Sequence, residues 1–252
     1  MSATNADGSM KLLPTPGGTG KEGDDQFAEF ASHMALVHNI IIRGWNSIYL
    51  QAPKIKSADV PDFLRYCDAY HAFVVGHHDS EEAVLFPKIE ETTSLKGVMD
   101  DDVAEHAAFH GGLDATKVYI DKCLASPSEY RGATFVKILD SYGESFYNHL
   151  AHEPLKLLAL NKYDFPMKEI GDATTQHALA KYSTTDVLPI LWYNLDTKFE
   201  DGKWASFPPL PTEVKWSLVN EMGRLRSNWW RFSSCSADLV ERDELLALRT
   251  DY

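Results

Sequence analysis

Cysteine is scarce: the 252-residue chain has three, Cys67, Cys123 and Cys235, far apart and with no CxxC pair. An odd, scattered set gives no disulfide framework and no zinc–thiolate site, and fits a reducing compartment. Long apolar runs are missing as well. No stretch approaches the roughly 18 apolar residues of a membrane helix, and KLLPTPGG near the N-terminus breaks after two leucines, too soon for a secretory leader. Basic charge is short: 24 Lys and Arg stand against 37 Asp and Glu, a net charge of −13. That leaves no basic face for nucleic acid. No flavin or nicotinamide fingerprint occurs, so redox chemistry would draw electrons from another protein or a small reductant. These absences predict a cytoplasmic protein with neither nucleic acid nor membrane as partner.

What is present is a chain that can bury a core, with 44% hydrophobic residues. Residues 1–25 are rich in Gly, Pro, Ser and Thr and predict a disordered tail. Residues 26–160 carry helical periodicity with three breaks, at QAPKIKSADVPD, at KIEETTSLKG after Pro87, and at LASPSEYRG. Four helices with short connections predict an all-α, up-down-up-down four-helix bundle. Residues 161–252 form an irregular, partly helical C-terminal extension holding five of the six tryptophans, expected to pack on the bundle. In it, FPPLPTEVKW predicts a loop feeding a helix from Thr212 to about Arg226.

A helix turns about 100° per residue, so each apolar stripe can be located. The first helix aligns Phe27, Met34, His38, Ile42 and Trp45; the second aligns Phe63, Tyr70, Val74, His77, Glu81 and Val84. On this reading His78 and Glu82 of HHDSEEAVLFP fall on the flank. The third helix aligns Met99, Val103, His106, His110, Leu113 and Ile120, and the fourth Phe135, Tyr142, Phe146, His149 and Glu153. A single inward His is more often a hydrogen-bonded core residue than a ligand. Seven inward groups are different, because each unpartnered buried polar group costs about 1–3 kcal/mol. A metal centre removes that cost.

The set His38, His77, Glu81, His106, His110, His149 and Glu153 is too large for one zinc ion. It holds too much imidazole for calcium or magnesium. It suits two transition ions, iron favoured, bridged by Glu81 and Glu153. Ferritin-like sites use Glu-x-x-His; here the spacing is His-x-x-x-Glu and His-x-x-x-His.

With these motifs the chain resembles the hemerythrin family, the HHE cation-binding domain, and in particular the hemerythrin-like proteins of fungi. The residues that carry the likeness are His38 in VHNIIIRGWN, His77 and Glu81 in HHDSEEAVLFP, His106 and His110 in EHAAFH, and His149 and Glu153 in HLAHEP. The resemblance implies a diiron centre with an oxo or hydroxo bridge. It places His106, His110 and His149 on one iron, and His38 and His77 on the other, where O2 binds. Two features depart from the oxygen carriers: the last carboxylate is Glu at i+4 instead of Asp at i+5, and Pro154 follows it.

Within this family the same core serves oxygen carriage, sensing and oxygenation. The tryptophan-rich extension could wall a pocket for a small aromatic or amine-bearing substrate, or act as a cover. Trp45, Tyr70, Lys117 and Tyr142 lie seven residues from ligands, a layer about 10 Å from the metals. They are candidate pocket residues, against the alternative of core aromatics and a snorkelling lysine. An oxygenase acting on a small molecule is the leading reading, and a non-enzymatic O2 or iron binder the alternative.

Overall fold

The computed structural model describes residues 3–20 and 25–252. Helix α1 (Gln26–Gln51) starts at Asp25, whose carboxylate accepts from the N–H groups of Phe27 and Ala28. Helix α2 (Val60–Ser80) runs down, α4 (Asp100–Ala125) up, and α5 (Gly132–Asp140) and α6 (Gly143–Ala159) down again. Neighbouring helices are α1 with α6, α6 with α4, and α4 with α2. The described residues contain no strand, only two isolated bridges, and the architecture is the expected all-α bundle.

Two boundaries differ from the sequence reading. The second helix does not stop at Pro87: it passes through a widened turn, Glu81–Leu85, into α3 (Phe86–Thr93). Pro87 cannot donate to the carbonyl four residues back. The widened turn, where the Phe86 N–H reaches the Glu81 carbonyl, lets the helix continue around it. The last helix is in two pieces, with a turn at Ser141–Tyr142 between α5 and α6.

The predicted disordered tail is also corrected, for its described residues; residues 1–2 and 21–24 lie outside them. Met10 and Leu13 are buried against the core, and residues 10–17 run antiparallel along the outer face of α1. Asn46 accepts from the Met10 N–H and donates to its carbonyl, and Asn39 does the same for Leu13. Ser32 does so for Gly17. Asn46, Asn39 and Ser32 are seven residues apart, about 10 Å of helical rise, which three or four extended residues span. Three polar side chains at heptad spacing on α1 therefore satisfy the backbone of Met10, Leu13 and Gly17. The tail's Gly, Pro, Ser and Thr content disguised an extended segment whose partner side chains lie on another element.

The extension shares the bundle's core. Trp192, Trp204 and Trp230 are buried with it, while Trp216 is exposed. Ser47 and Gln51 of α1 both donate to the Phe232 carbonyl, and the Tyr66 hydroxyl of α2 bonds Asn194. The helical rod expected from Thr212 to Arg226 is present with changing pitch: α9 (Thr212–Ser217), a wide turn to Met222 and a tight turn to Arg226. Helices α8 (Pro189–Tyr193) and α10 (Ser227–Trp230) are short.

Helix α7 (Met167–Lys181) lies across α1 and α2. Just beyond it, Tyr182 stacks on Phe73 and donates to the Phe73 carbonyl. A Cβ at Gly76 would lie 2.5 Å from the Tyr182 ring, so glycine is needed one residue before His77. Asn39→Leu tests the tail's attachment. It strands the buried N–H and carbonyl of Leu13 and lowers unfolding free energy by about 2–4 kcal/mol in denaturant titration. A loss below about 0.5 kcal/mol, the range of a neutral surface change, would contradict the attachment.

Candidate metal centre

Four helices converge on two overlapping clusters. One comprises His38, His77, Glu81 and Glu153; the other comprises His78, Glu81, His106 and His149. In each, ligand-type atoms lie within 4.8 Å of one another and all four residues are buried. Glu81 belongs to both. Its Oε1 is 2.9 Å from His77 Nε2 and its Oε2 is 3.6 Å from His106 Nε2. Glu153 stands opposite, with Oε2 3.3 Å from His38 Nε2 and 3.7 Å from His149 Nε2.

The structure brings together six of the seven residues expected from sequence. It excludes His110 and brings in His78. On α2, Glu81 lies about 40° from His77 and about 60° from His78 around the helix, between the two. With two clusters side by side, adjacent histidines face one each, and the stripe centred on His77 alone was too narrow. On α4 the inward residues are Asp102, His106, Phe109, Leu113, Thr116 and Ile120. His110 is exposed and pairs with Asp114 at the surface. Lys117, seven residues on, is likewise outside, paired with Asp121 and Asp68. One rotational offset explains both: Phe109 and Thr116 occupy the inward positions assigned to His110 and Lys117. The signal was available, since apolar Phe109 continues the three-four spacing from Asp102 and His106.

Ring orientation is set by the outer nitrogens. His38 Nδ1 donates to the Leu150 carbonyl at 2.7 Å, His106 Nδ1 faces Glu82 Oε1 at 2.8 Å, and His149 Nδ1 faces Glu105 Oε2 at 3.3 Å. Each partner only accepts, so in the neutral rings the proton is on Nδ1 and Nε2 is a bare lone pair. Pro154 has a role here. It has no N–H for the carbonyl four residues back, which is that of Leu150. That carbonyl is left for His38. The helix continues through Pro154, and Glu153 stays in the cluster.

This orientation is costly without a cation. His106 Nε2 and His149 Nε2 face each other at 3.1 Å as two lone pairs. Two ligands of one ion, bonded at about 2.1 Å and at right angles, sit about 3 Å apart. Both oxygens of Glu81, both of Glu153 and both ring nitrogens of His78 are buried with no hydrogen bond; His77 is close to Glu81 but not aligned to donate. The residues therefore fit a metal ion in each cluster.

Burial pushes the histidines down, His38 and His149 to about 4 and His77 and His106 to about 3. Burial also pushes Glu153 up to about 8, with the Glu81 charge adding, and raises Glu81 well above its usual value. Phe86, Phe109 and Phe146 pack around His78, His106 and His149 with ring centroids 5.0–5.9 Å away.

Of the pocket candidates, Trp45, Tyr70 and Tyr142 do converge, Trp45 edge-on to Tyr142 at 5.2 Å. The space between them is about 10 Å³, room for at most one water. Tyr142 bonds Thr116 and Tyr70 donates to the Ile41 carbonyl. They are packed core aromatics with satisfied hydroxyls.

A helical bundle with two imidazole–carboxylate clusters at its centre is a metal-binding protein class. The model of the hemerythrin HHE cation binding domain matches residues 30–160, and the chain belongs to that family. The "Dimeric xanthone biosynthesis cluster protein R11" of Cryptosporiopsis sp. (strain 8999) is 35% identical over 231 residues, 90% of this chain and 87% of that protein. No solved structure matches the chain. Among the described residues no helix is long and apolar enough to cross a membrane.

Two predictions follow from this geometry. His78→Ala lowers bound metal by about one ion per chain in elemental analysis, whereas His110→Ala leaves it unchanged; the reverse result would restore the sequence assignment. In the metal-free protein, the five depressed histidines remove stability as pH falls below their unfolded value of 6.5. The two raised carboxylates remove it as pH climbs from 4.5 toward 8. Stability against denaturant should peak near pH 6.5 and fall by pH 8, and metal should abolish the fall. A metal-free profile still rising from pH 6.5 to 8 would contradict the burial of these carboxylates.

Proposed function

We propose that this protein is a non-haem diiron protein that binds O2 at the buried centre and activates it to oxidise a small aromatic molecule. The observation that carries the reading is the donor set: five imidazoles and two carboxylates in two clusters sharing Glu81, with His38, His106 and His149 held so that Nε2 lone pairs face inward. Imidazole with carboxylate suits iron, where thiolate would favour zinc and oxygen alone calcium. Iron bound in a pair supplies reversible one-electron chemistry at each ion and a place for dioxygen.

The chain's own residues do the rest. His38 and His77 would hold one ion and His78, His106 and His149 the other, with Glu81 in reach of both groups and Glu153 beside His38 and His149. Leu150, Glu82 and Glu105 fix three rings so that their lone pairs face inward. The phenylalanines around His78, His106 and His149 exclude water, which strengthens every electrostatic interaction inside. His77 is the most accessible ligand, with 12% of its side chain exposed, and marks the side for O2 entry. The chain has no organic cofactor motif, so electrons for turnover come from an external donor.

Two observations separate the branches within this proposal. The relative's name attaches it to a cluster for dimeric xanthones, and a xanthone is a tricyclic aromatic ketone, which supports aromatic oxidation. The packing of Trp45, Tyr70 and Tyr142 supports the alternative, O2 or iron binding without a substrate, because that layer has no room for one. The test is to load the protein with iron, reduce it without air, and add O2 with or without a hydroxylated xanthone. Oxygenation predicts O2 consumption matched by an oxidised xanthone, lost in His77→Ala. A spectral change that reverses on removing O2, with the xanthone intact, favours the binder. No spectral response to O2 contradicts both.

A further inference from the structure

The two metal positions have the same kinds of ligand but unequal support. Around His78, His106 and His149, two of the three rings are held from behind by carboxylates. Glu82 Oε1 is 2.8 Å from His106 Nδ1, and Glu105 Oε2 is 3.3 Å from His149 Nδ1. Glu105 is itself held by His152, whose Nδ1 is 3.1 Å from Oε1. Among the described residues no carboxylate supports the His38 or His77 ring from behind; Glu153 and Glu81 lie at their inner nitrogens. His38 donates to the neutral Leu150 carbonyl, and His77 has its only described polar neighbours on its inner nitrogen, His38 and Glu81.

We propose that the two positions fill in order. The position bordered by His78, His106 and His149 loads first and holds its ion more tightly, and the His38–His77 position loads second and exchanges. Glu82 and Glu105 are the positioning residues that make the difference. This rests on the two-metal reading above. A carboxylate accepting from Nδ1–H raises the basicity of Nε2 and fixes the ring's aim, and losing such a partner typically weakens metal affinity about 10–100-fold. Three imidazoles also outbid two for a transition ion. The ordering follows from ligand count and from support, two independent features that point the same way.

The consequence reaches the chemistry. An ion in the weaker position faces His77, the ligand nearest solvent, so the exchangeable metal and the accessible side coincide. The chain would pass through a stable one-metal form. It could hold two different metals if the second is supplied separately.

The experiment is an anaerobic Co2+ titration of the full-length metal-free protein, following bound cobalt by equilibrium dialysis and its ligand-field absorption. Two steps are expected, separated by at least about 10-fold. His77→Ala should remove only the weaker step and leave one ion per chain. Glu105→Gln and, separately, Glu82→Gln should weaken the tighter step about 10–100-fold while circular dichroism stays native. Both glutamates are on the outer side of the bundle, Glu82 well exposed and Glu105 about one-third exposed, so loss of folding is not expected. Glu105→Asp should recover part of the lost affinity. Equal constants for the two ions would overturn the inference and leave the two-metal reading standing. Unchanged tight binding in both glutamine variants, or loss of the tighter ion in His77→Ala, would also overturn it. Failure of the wild type to take up cobalt would overturn the two-metal reading, and this inference with it.

Discussion

Nitrogen lone pairs and carboxylate oxygens that face each other across a dry core repel one another, and the rest of the molecule is organised around that repulsion. His106 and His149 aim bare Nε2 atoms at each other at 3.1 Å, and Glu81 and Glu153 present four oxygens with no donor. Burying such groups costs several kcal/mol unless a cation or a proton compensates. Protons compensate only in part: burial favours them on the two carboxylates, whose pKa values shift upward, but the buried imidazoles resist charging. The proposed metal pair would compensate by taking these groups as ligands. The outer hydrogen bonds to Leu150, Glu82 and Glu105 keep the rings from turning away, which is what makes the cost unavoidable in the metal-free state.

Helix α1 shows how the scaffold holds that arrangement. One face carries His38 between Met34 and Ile42, and a second face, about 100° around the helix, carries Ser32, Asn39 and Asn46 for the tail. The helix is consequently buried along most of its length. A helix held on two faces cannot rotate to relieve the electrostatic cost at His38. The same logic applies to α2, gripped at Gly76 by Tyr182 beside His77. Tail and extension thus belong to the support of the site, whatever else the extension does.

Much of this was legible in the sequence. The number of bundle helices, their antiparallel order and six of the seven expected inward residues follow from period 3.6 and from the cost of burying polar groups. The failures are equally physical. Assigning His110 and Lys117 inward came from centring the α4 stripe to the wrong side of His106. His110 lies about 40° to one side of His106 and Phe109 about 60° to the other, so a modest rotation exchanges them while His106, Leu113 and Ile120 stay inward. His78 was missed because the wheel was centred on one residue, where a face wide enough for two ions was needed. The tail's attachment was illegible because its partners are side chains 15 to 36 positions away. Pro154, a departure from the oxygen carriers in sequence, in the structure frees the Leu150 carbonyl for His38.

The central claim is that two metals lie in the core and that His78, not His110, serves one of them. Crystals of iron-loaded protein, measured on either side of the iron absorption edge, test it directly. The account predicts two anomalous peaks between the helices, one beside His38 and His77, the other beside His78, His106 and His149, with Glu81 and Glu153 between them. A single peak, or a peak with His110 turned inward and His78 turned away, would contradict it.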